Sequence, residues 1–265
     1  MQKIEIGLSP CPNDTFMFYA LLHKKIDTNN WDFIPLYADI EQLNEWAMQQ
    51  KLLLSKLSFH AYLYCRKFYT LMNSGAALGR ACGPLLITKI NTQVSDSSRI
   101  AIPGFYTTAH LLFKYFYPQS TNKKFVVFHE VEQLVSDGDC DMGVIIHENR
   151  FTYQDKGLQL ICDLGDKWEQ ETKLPIPLGG IFIHNEIASN ADEICNIIRE
   201  SILYALSHKQ EVMTYCSHFA QEMNEEVLLK HIQLYVNDYS IDIGLEGYKA
   251  ISKLESRFVE LTSSL

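Results

Sequence analysis

Short apolar runs alternate with amphipathic stretches along the first two-thirds of the chain. Residues 3–8 (KIEIGL) read as a strand. A loop over 9–13 follows, then a helix with Phe16, Ala20 and Leu21 on one side and Asn13 or Asp14 available to cap its first turn. Residues 32–38 (DFIPLYA) fit a second strand, and Asp39 ahead of Gln42 resembles a capping box opening a helix over 40–49. Residues 52–57 (LLLSKL) suit a buried strand, with Ser58 where the helix FHAYLYCRKF begins. Beyond the small-residue stretch 75–86 (GAALGRACGPLL), Ile87 and its neighbours continue as a strand.

A second group of units starts near Arg99. RIAIPG is a strand ending in a Pro-Gly turn, and Thr107 and Thr108 open the helix AHLLFKYFY. KFVVFH is a strand, EVEQLVSDG a helix stopped by glycine, DMGVIIH a strand ending at His147, and LQLICDLG a further strand. Composition shifts at 175–180 (PIPLGG), IFIH forms a last short strand, and from Asn190 the pattern is helical almost throughout. Such alternation predicts an α/β fold of parallel sheets covered by helices. Two groups joined by linkers near 88–98 and 175–180 predict two lobes around a hinge and a central cleft. The larger, discontinuous lobe takes residues 1–88 and 180–265, with the helical tail packed on it, and the smaller takes 89–179. Ligands are then expected in the cleft, beyond the carboxyl ends of strands.

The 265 residues suit two modest cores, and with 47% hydrophobic and 21% charged residues a folded chain is expected. A formal charge of −9 argues against nucleic acid and anionic lipid as partners, yet leaves room for a small carboxylate substrate held by local dipoles. The seven cysteines are widely spaced with no C-x-x-C, so neither a structural metal nor a redox pair is expected, and reduced thiols fit a reducing compartment. Glu5, Pro10 and Pro12 interrupt any leader-like run, and no apolar run nears the roughly 20 residues a membrane span needs, so a cytoplasmic protein is expected. P-loop, G-x-G-x-x-G and G-x-S-x-G motifs are absent, and the zinc-protease pattern begun by His147 and Glu148 fails at Phe151. Catalysis would use side chains and oriented dipoles without a cofactor.

Four segments carry possible chemistry. In Ser9-Pro10-Cys11-Pro12-Asn13-Asp14-Thr15, two prolines stiffen a strand-to-helix loop; the segment is either a capped turn or a set of acceptor-binding amides. Around Lys56, Leu57 and Ser58, a strand end offers equally a helix cap or a carboxylate site, which are compatible, and Lys56 also reads as a solvated lysine. Thr107, Thr108 and Ala109 follow a Gly turn at a helix start, an anion nest or simple N-capping. His147 ends an apolar strand, where an imidazole suits proton abstraction, and Glu148 and Arg150 are near enough to pair.

Together SPCPNDTFMFYAL (9–21), SKLSFHAY (55–62), SGAALGRACGPLL (74–86), PGFYTTAHLL (103–112) and IIHENRFTY (145–153) resemble the 1,4-dihydroxy-6-naphthoate synthase family of the futalosine route to menaquinone, over nearly the whole chain. The tail segment YVNDYSIDIGLEG (235–247) is similar to the family as well. The resemblance implies a fold like the type II periplasmic binding proteins. It implies a lyase that cleaves cyclic dehypoxanthine futalosine to 1,4-dihydroxy-6-naphthoate, with no metal or organic cofactor. His147 matches the family's catalytic base; Lys56, Leu57 and Ser58 match one substrate-binding segment; Thr108 and Ala109 match another, with Thr107 adjoining. Asn13 and Asp14 are added as substrate-binding candidates. The rival readings are a catalytically silent anion-binding protein of the same fold and the sister chorismate dehydratase. Oligomeric state has no signal in the sequence.

Overall fold

β1 (Gln2–Leu8) begins a first sheet, with Ile4, Ile6, Gly7 and Leu8 buried and Glu5 exposed. The computed structural model describes residues 1–220 and 225–263. After β1 come α1 (Pro12–Leu22), β2 (Trp31–Tyr37), α2 (Ile40–Met48), β3 (Leu54–Ser58), α3 (Phe59–Cys65), β4 (Tyr69–Leu71) and β5 (Ala77–Gly79). The chain then leaves for a second sheet: β6 (Leu85–Lys89), β7 (Ile100–Ile102), α4 (Thr108–Phe116), β8 (Lys123–Phe125), α5 (Val131–Asp137), β9 (Met142–Ile145), β10 (Leu158–Asp163) and α6 (Leu164–Thr172). It returns through β11 (Ile176–His184) and ends in α7 (Ala191–Ser207), α8 (Lys209–Cys216), α9 (Glu225–Tyr235), α10 (Asp238–Ile241) and α11 (Gly244–Ser263).

The first sheet runs β2-β1-β3-β11-β4, with β5 also on β11; the second runs β10-β6-β9-β7-β8. Both are mixed rather than parallel. β1 pairs parallel with β2 and β3, and β7 parallel with β8 and β9. The strands that carry the chain between sheets break the pattern: β11 is antiparallel to β3, and β6 is antiparallel to β9. A strand entered from the other sheet does not close a β-α-β unit within one sheet, so the parallel rule for such units does not reach it. Sheet membership changes between β5 and β6 and again between β10 and β11. β6 thus lies in the second sheet although the boundary drawn at residue 88 left most of it in the first lobe.

The stretch PIPLGG is not a linker. It belongs to the nine-residue β11, the spine that pairs with β3, β4 and β5. Pro177 is accommodated because the ladder to β5 shifts register between Pro177 and Gly179. A Cβ on Gly179 would lie 2.7 Å from the Leu57 carbonyl oxygen, so the strand tolerates no side chain there.

α1 is buried from Pro12 to Leu21 on every face, not along one stripe. Helices with no polar face sit inside a layer. Here β2 of the first sheet lies to one side, and α7, α8 and α9 pack on the other. The Ser201 hydroxyl donates to the Met17 carbonyl at 2.7 Å and accepts the Leu21 N–H at 3.2 Å, pinning the tail to α1. All seven cysteines are free thiols. Among the described residues, no helix is long and apolar enough to cross a membrane.

Candidate active site

A cleft between the two sheets encloses about 640 Å³ of atom-free space, part of it open to solvent, within the range of small-molecule sites. Ser9, Asn13, Lys56, Ser58 and Gly179 line it from the first sheet, Thr107, Thr108, Ala109 and His147 from the second, and Tyr235 from the helical tail. Seven of the nine residues singled out from the sequence therefore meet here: Asn13, Lys56, Ser58, Thr107, Thr108, Ala109 and His147. Leu57 is fully buried in the core behind the cleft, and Asp14 lies beneath its floor.

Asn13 and Asp14 do not cap α1. The cap position is Cys11, with no side-chain bond, and Pro12 fills the first helical site. Asp14 instead points back. One oxygen accepts from the Ser9 amide (3.1 Å) and hydroxyl (2.8 Å); the other accepts from Asn13 Nδ2 (2.8 Å) and Lys56 Nζ (2.9 Å). Lys56 is thus a buried, paired lysine, not a solvated one. A buried ion pair is tolerable when the remaining lone pairs are satisfied, and those of Asp14 are.

Ser58 starts α3 without capping it by its side chain. Its amide donates to Asn44 Oδ1 at 2.9 Å, and its hydroxyl accepts from Asn44 Nδ2 at 3.1 Å. Thr107 does cap α4, accepting the His110 N–H at 3.2 Å while its own hydroxyl donates to Gly104 O at 3.0 Å. The Thr108 hydroxyl donates to Leu178 O at 2.7 Å, tying α4 to β11. Both threonine hydroxyl protons are therefore committed to the protein. What α4 offers the cleft is its first-turn amides at Thr108 and Ala109, which have no intrahelical acceptor and carry the positive end of the helix dipole.

His147 follows β9 by two residues and opens a 3₁₀ turn over His147–Phe151. Its φ is +59°, the left-handed region that costs a non-glycine residue about 1–3 kcal/mol and clusters at functional positions. The ring meets the Phe128 ring edge-on, with centroids 4.9 Å apart. Nε2 has no hydrogen-bond partner among the described residues. Burial lowers the pKa to about 4; Asp14 pulls it upward and Lys56 pushes it down, both more weakly. The imidazole is therefore neutral near pH 7, with one nitrogen available as a proton acceptor.

Arg150 does not pair with Glu148. It reaches Asp163 at 2.7 Å and the Gly83 carbonyl, stapling the turn to the start of β6 and the end of β10. His110 Nδ1 donates to Phe105 O at 2.7 Å behind α4, away from the cleft. Sequence reading missed His231 and Tyr235 on α9, although Tyr235 opens the quoted tail segment. His231 Nε2 lies 3.1 Å from Asn13 Oδ1. Cys11, His147 and Glu148 place potential ligand atoms within 4.8 Å of one another, but burial raises the Cys11 thiol well above its ordinary range, against the thiolate a metal needs.

A family model described as menaquinone biosynthesis matches residues 4–260. The chain belongs to that family. Within the menaquinone-biosynthesis family, it is 40% identical over 255 residues to a Thermus thermophilus protein named 1,4-dihydroxy-6-naphthoate synthase, covering 96% of this chain and 93% of the relative. A Streptomyces coelicolor protein of the same name is 37% identical over 260 residues, covering 96% and 92%. Among solved structures, an Archaeoglobus fulgidus protein superposes with a TM-score of 0.92 at 32% identity, covering 99% of this chain and 98% of that one. A Candida albicans protein described as having the generic periplasmic binding protein fold gives 0.71 at 13% identity, covering 100% and 91%, which shows that the family shares this fold.

Proposed function

We propose that the protein is a 1,4-dihydroxy-6-naphthoate synthase, a lyase acting on cyclic dehypoxanthine futalosine, with His147 as general base. Two relatives of that name at 40% and 37% identity support the reading. The observation that carries it is the neutral His147 ring, with an unpartnered Nε2, in the same cleft as the α4 helix start. A substrate carboxylate would take the Thr108 and Ala109 amides, which places a carbon acid against His147. Nε2 removes the proton. The C–H electron pair enters the ring as the bond to the sugar-derived fragment breaks; that bond's pair leaves with the fragment, which takes up a proton. Aromatisation of the naphthoate drives the step forward. General-base help contributes about 10²–10⁴-fold, and positioned amides facing developing charge supply more.

The two sheets are read as lobes that close on the substrate and exclude water. Contacts across the cleft fit such closure: the Glu41 carboxylate of α2 accepts the Tyr106 N–H at 2.9 Å. Incubation with the cyclic futalosine derivative, and separately with chorismate, tests the assignment. Formation of 1,4-dihydroxy-6-naphthoate from the first alone is expected. Dehydration of chorismate would move the protein to the sister activity, and equilibrium binding without product would make it a solute-binding module.

A further inference from the structure

α9 touches three parts of the site at once: α1, the 3₁₀ turn that begins at His147, and β5. Its centre is His231, which has no solvent exposure. The ring faces Asn13 on one side, Nε2 to Oδ1 at 3.1 Å, and Glu148 on the other, Nδ1 to Oε2 at 4.0 Å. It also lies nearly parallel to His147, with ring centroids 6.4 Å apart and planes 22° apart.

The hydrogen bonds fix the proton on this ring. Asn13 Nδ2 donates to Asp14 Oδ1 at 2.8 Å, so the Asn13 amide group is oriented and its oxygen is the atom left for His231. An amide oxygen only accepts, so Nε2 must carry the hydrogen. Burial holds the ring's pKa well below the ordinary histidine value, so it is neutral and Nδ1 is the bare nitrogen. Nδ1 has no hydrogen-bond partner among the described residues. One chain then runs from Lys56 through Asp14 and Asn13 to His231, and ends beside the residue that follows His147.

We propose that His231 is a positioning residue of this active site: its Nε2–H holds Asn13 oriented toward Asp14 and Lys56, and its ring backs the turn that presents His147. The proposal rests on the synthase reading for its kinetic consequence, though not for the tautomer. Removing the donor frees the Asn13 amide to rotate and opens a void behind a turn already held in left-handed backbone.

The test has two arms. In the first, 15N NMR of histidine-labelled protein reports the His231 ring: a protonated Nε2 and a bare Nδ1 are expected across pH 6–8, and a protonated Nδ1 overturns the proposal. This arm needs no substrate, so a failed synthase assignment leaves it standing. In the second, His231→Leu is compared with His231→Gln, whose side-chain amide can donate to Asn13 from a similar reach. A misplaced catalytic group loses on the order of 10²-fold in kcat, so His231→Leu should fall by about that factor with little change in KM. His231→Gln should recover most of the loss. Equal losses in both variants, or native kcat in His231→Leu, overturn the proposal. If His231→Leu does not fold, the NMR arm decides.

Discussion

The Lys56 ammonium lies 2.9 Å from the Asp14 carboxylate, and both side chains are out of solvent beneath the cleft. This pair joins β3 to the first turn of α1 and sets the floor on which Ser9 and Asn13 stand. Asp14→Asn would leave an uncompensated buried ammonium, which typically costs about 3–5 kcal/mol. A large drop in the denaturation midpoint is expected. A midpoint equal to that of the unaltered protein would mean that Lys56 finds water or another partner.

His147 is expected to separate turnover from stability. Asn tolerates left-handed backbone better than most residues, so His147→Asn should hold or slightly raise the melting temperature. Loss of the proposed base should lower kcat by about 10²–10⁴-fold. Turnover at the unaltered rate would remove His147 from the mechanism.

The Thr108 hydroxyl braces the fold, so its substitution reads differently from the simple loss of a ligand-binding hydroxyl. Thr108→Val leaves Leu178 O without its donor and the His60 N–H without its acceptor, each now 2.7 and 3.3 Å from that oxygen. Buried groups stripped of partners cost about 1–3 kcal/mol, so a stability loss of that size should accompany any rise in KM. Calorimetry showing a native melting point would place the hydroxyl outside the structural brace.

Acid should destabilise the protein well above the carboxylate range. Burial is the first cause of lowered pKa at His60 (to about 3), His110 and His147 (each to about 4) and His231 (well below normal). An unfolded histidine titrates near 6.5, so below that pH the unfolded chain binds more protons than the folded one, and stability falls as pH falls. The loss begins near pH 6.5 and continues to about 4, approaching roughly 1.4 kcal/mol per pH unit for each histidine. Asp39, Glu41 and Asp166, raised by burial, oppose this trend, but His23, lowered by burial, adds to it, so they are three against five. Melting temperatures should drop steadily between pH 6.5 and 4.5; a flat profile would show that these rings gain protons in place.

Most strands were legible where an apolar run is bounded by glycine, proline or a capping side chain, as along residues 4–8 or 143–146; the run 124–129 was not, for β8 stops at Phe125 and Phe128–Glu130 forms a 3₁₀ turn. PIPLGG was misread for the same reason: proline and glycine signal a break, and nothing local reveals that a bulge admits Pro177 and that Gly179 yields to the Leu57 carbonyl. Periodicity carries no strand direction, so the antiparallel β6 and β11 were not foreseen. β4 and β5, at three residues each, are too short to show a period. At the site, strand-end and helix-start residues such as Lys56, Thr107 and His147 were readable. Their partners were not. Asn13 and His231 are 218 positions apart, and local patterning does not report contacts at that range.

Because the cleft takes one wall from Ser9 and Asn13 and another from Tyr235 on α9, more than 220 residues later, a ribosome must deliver both segments before the chamber is complete. Until α9 is made, the cleft lacks that wall. Any lesion that frees α9 from α1 would return the mature molecule to that unfinished state.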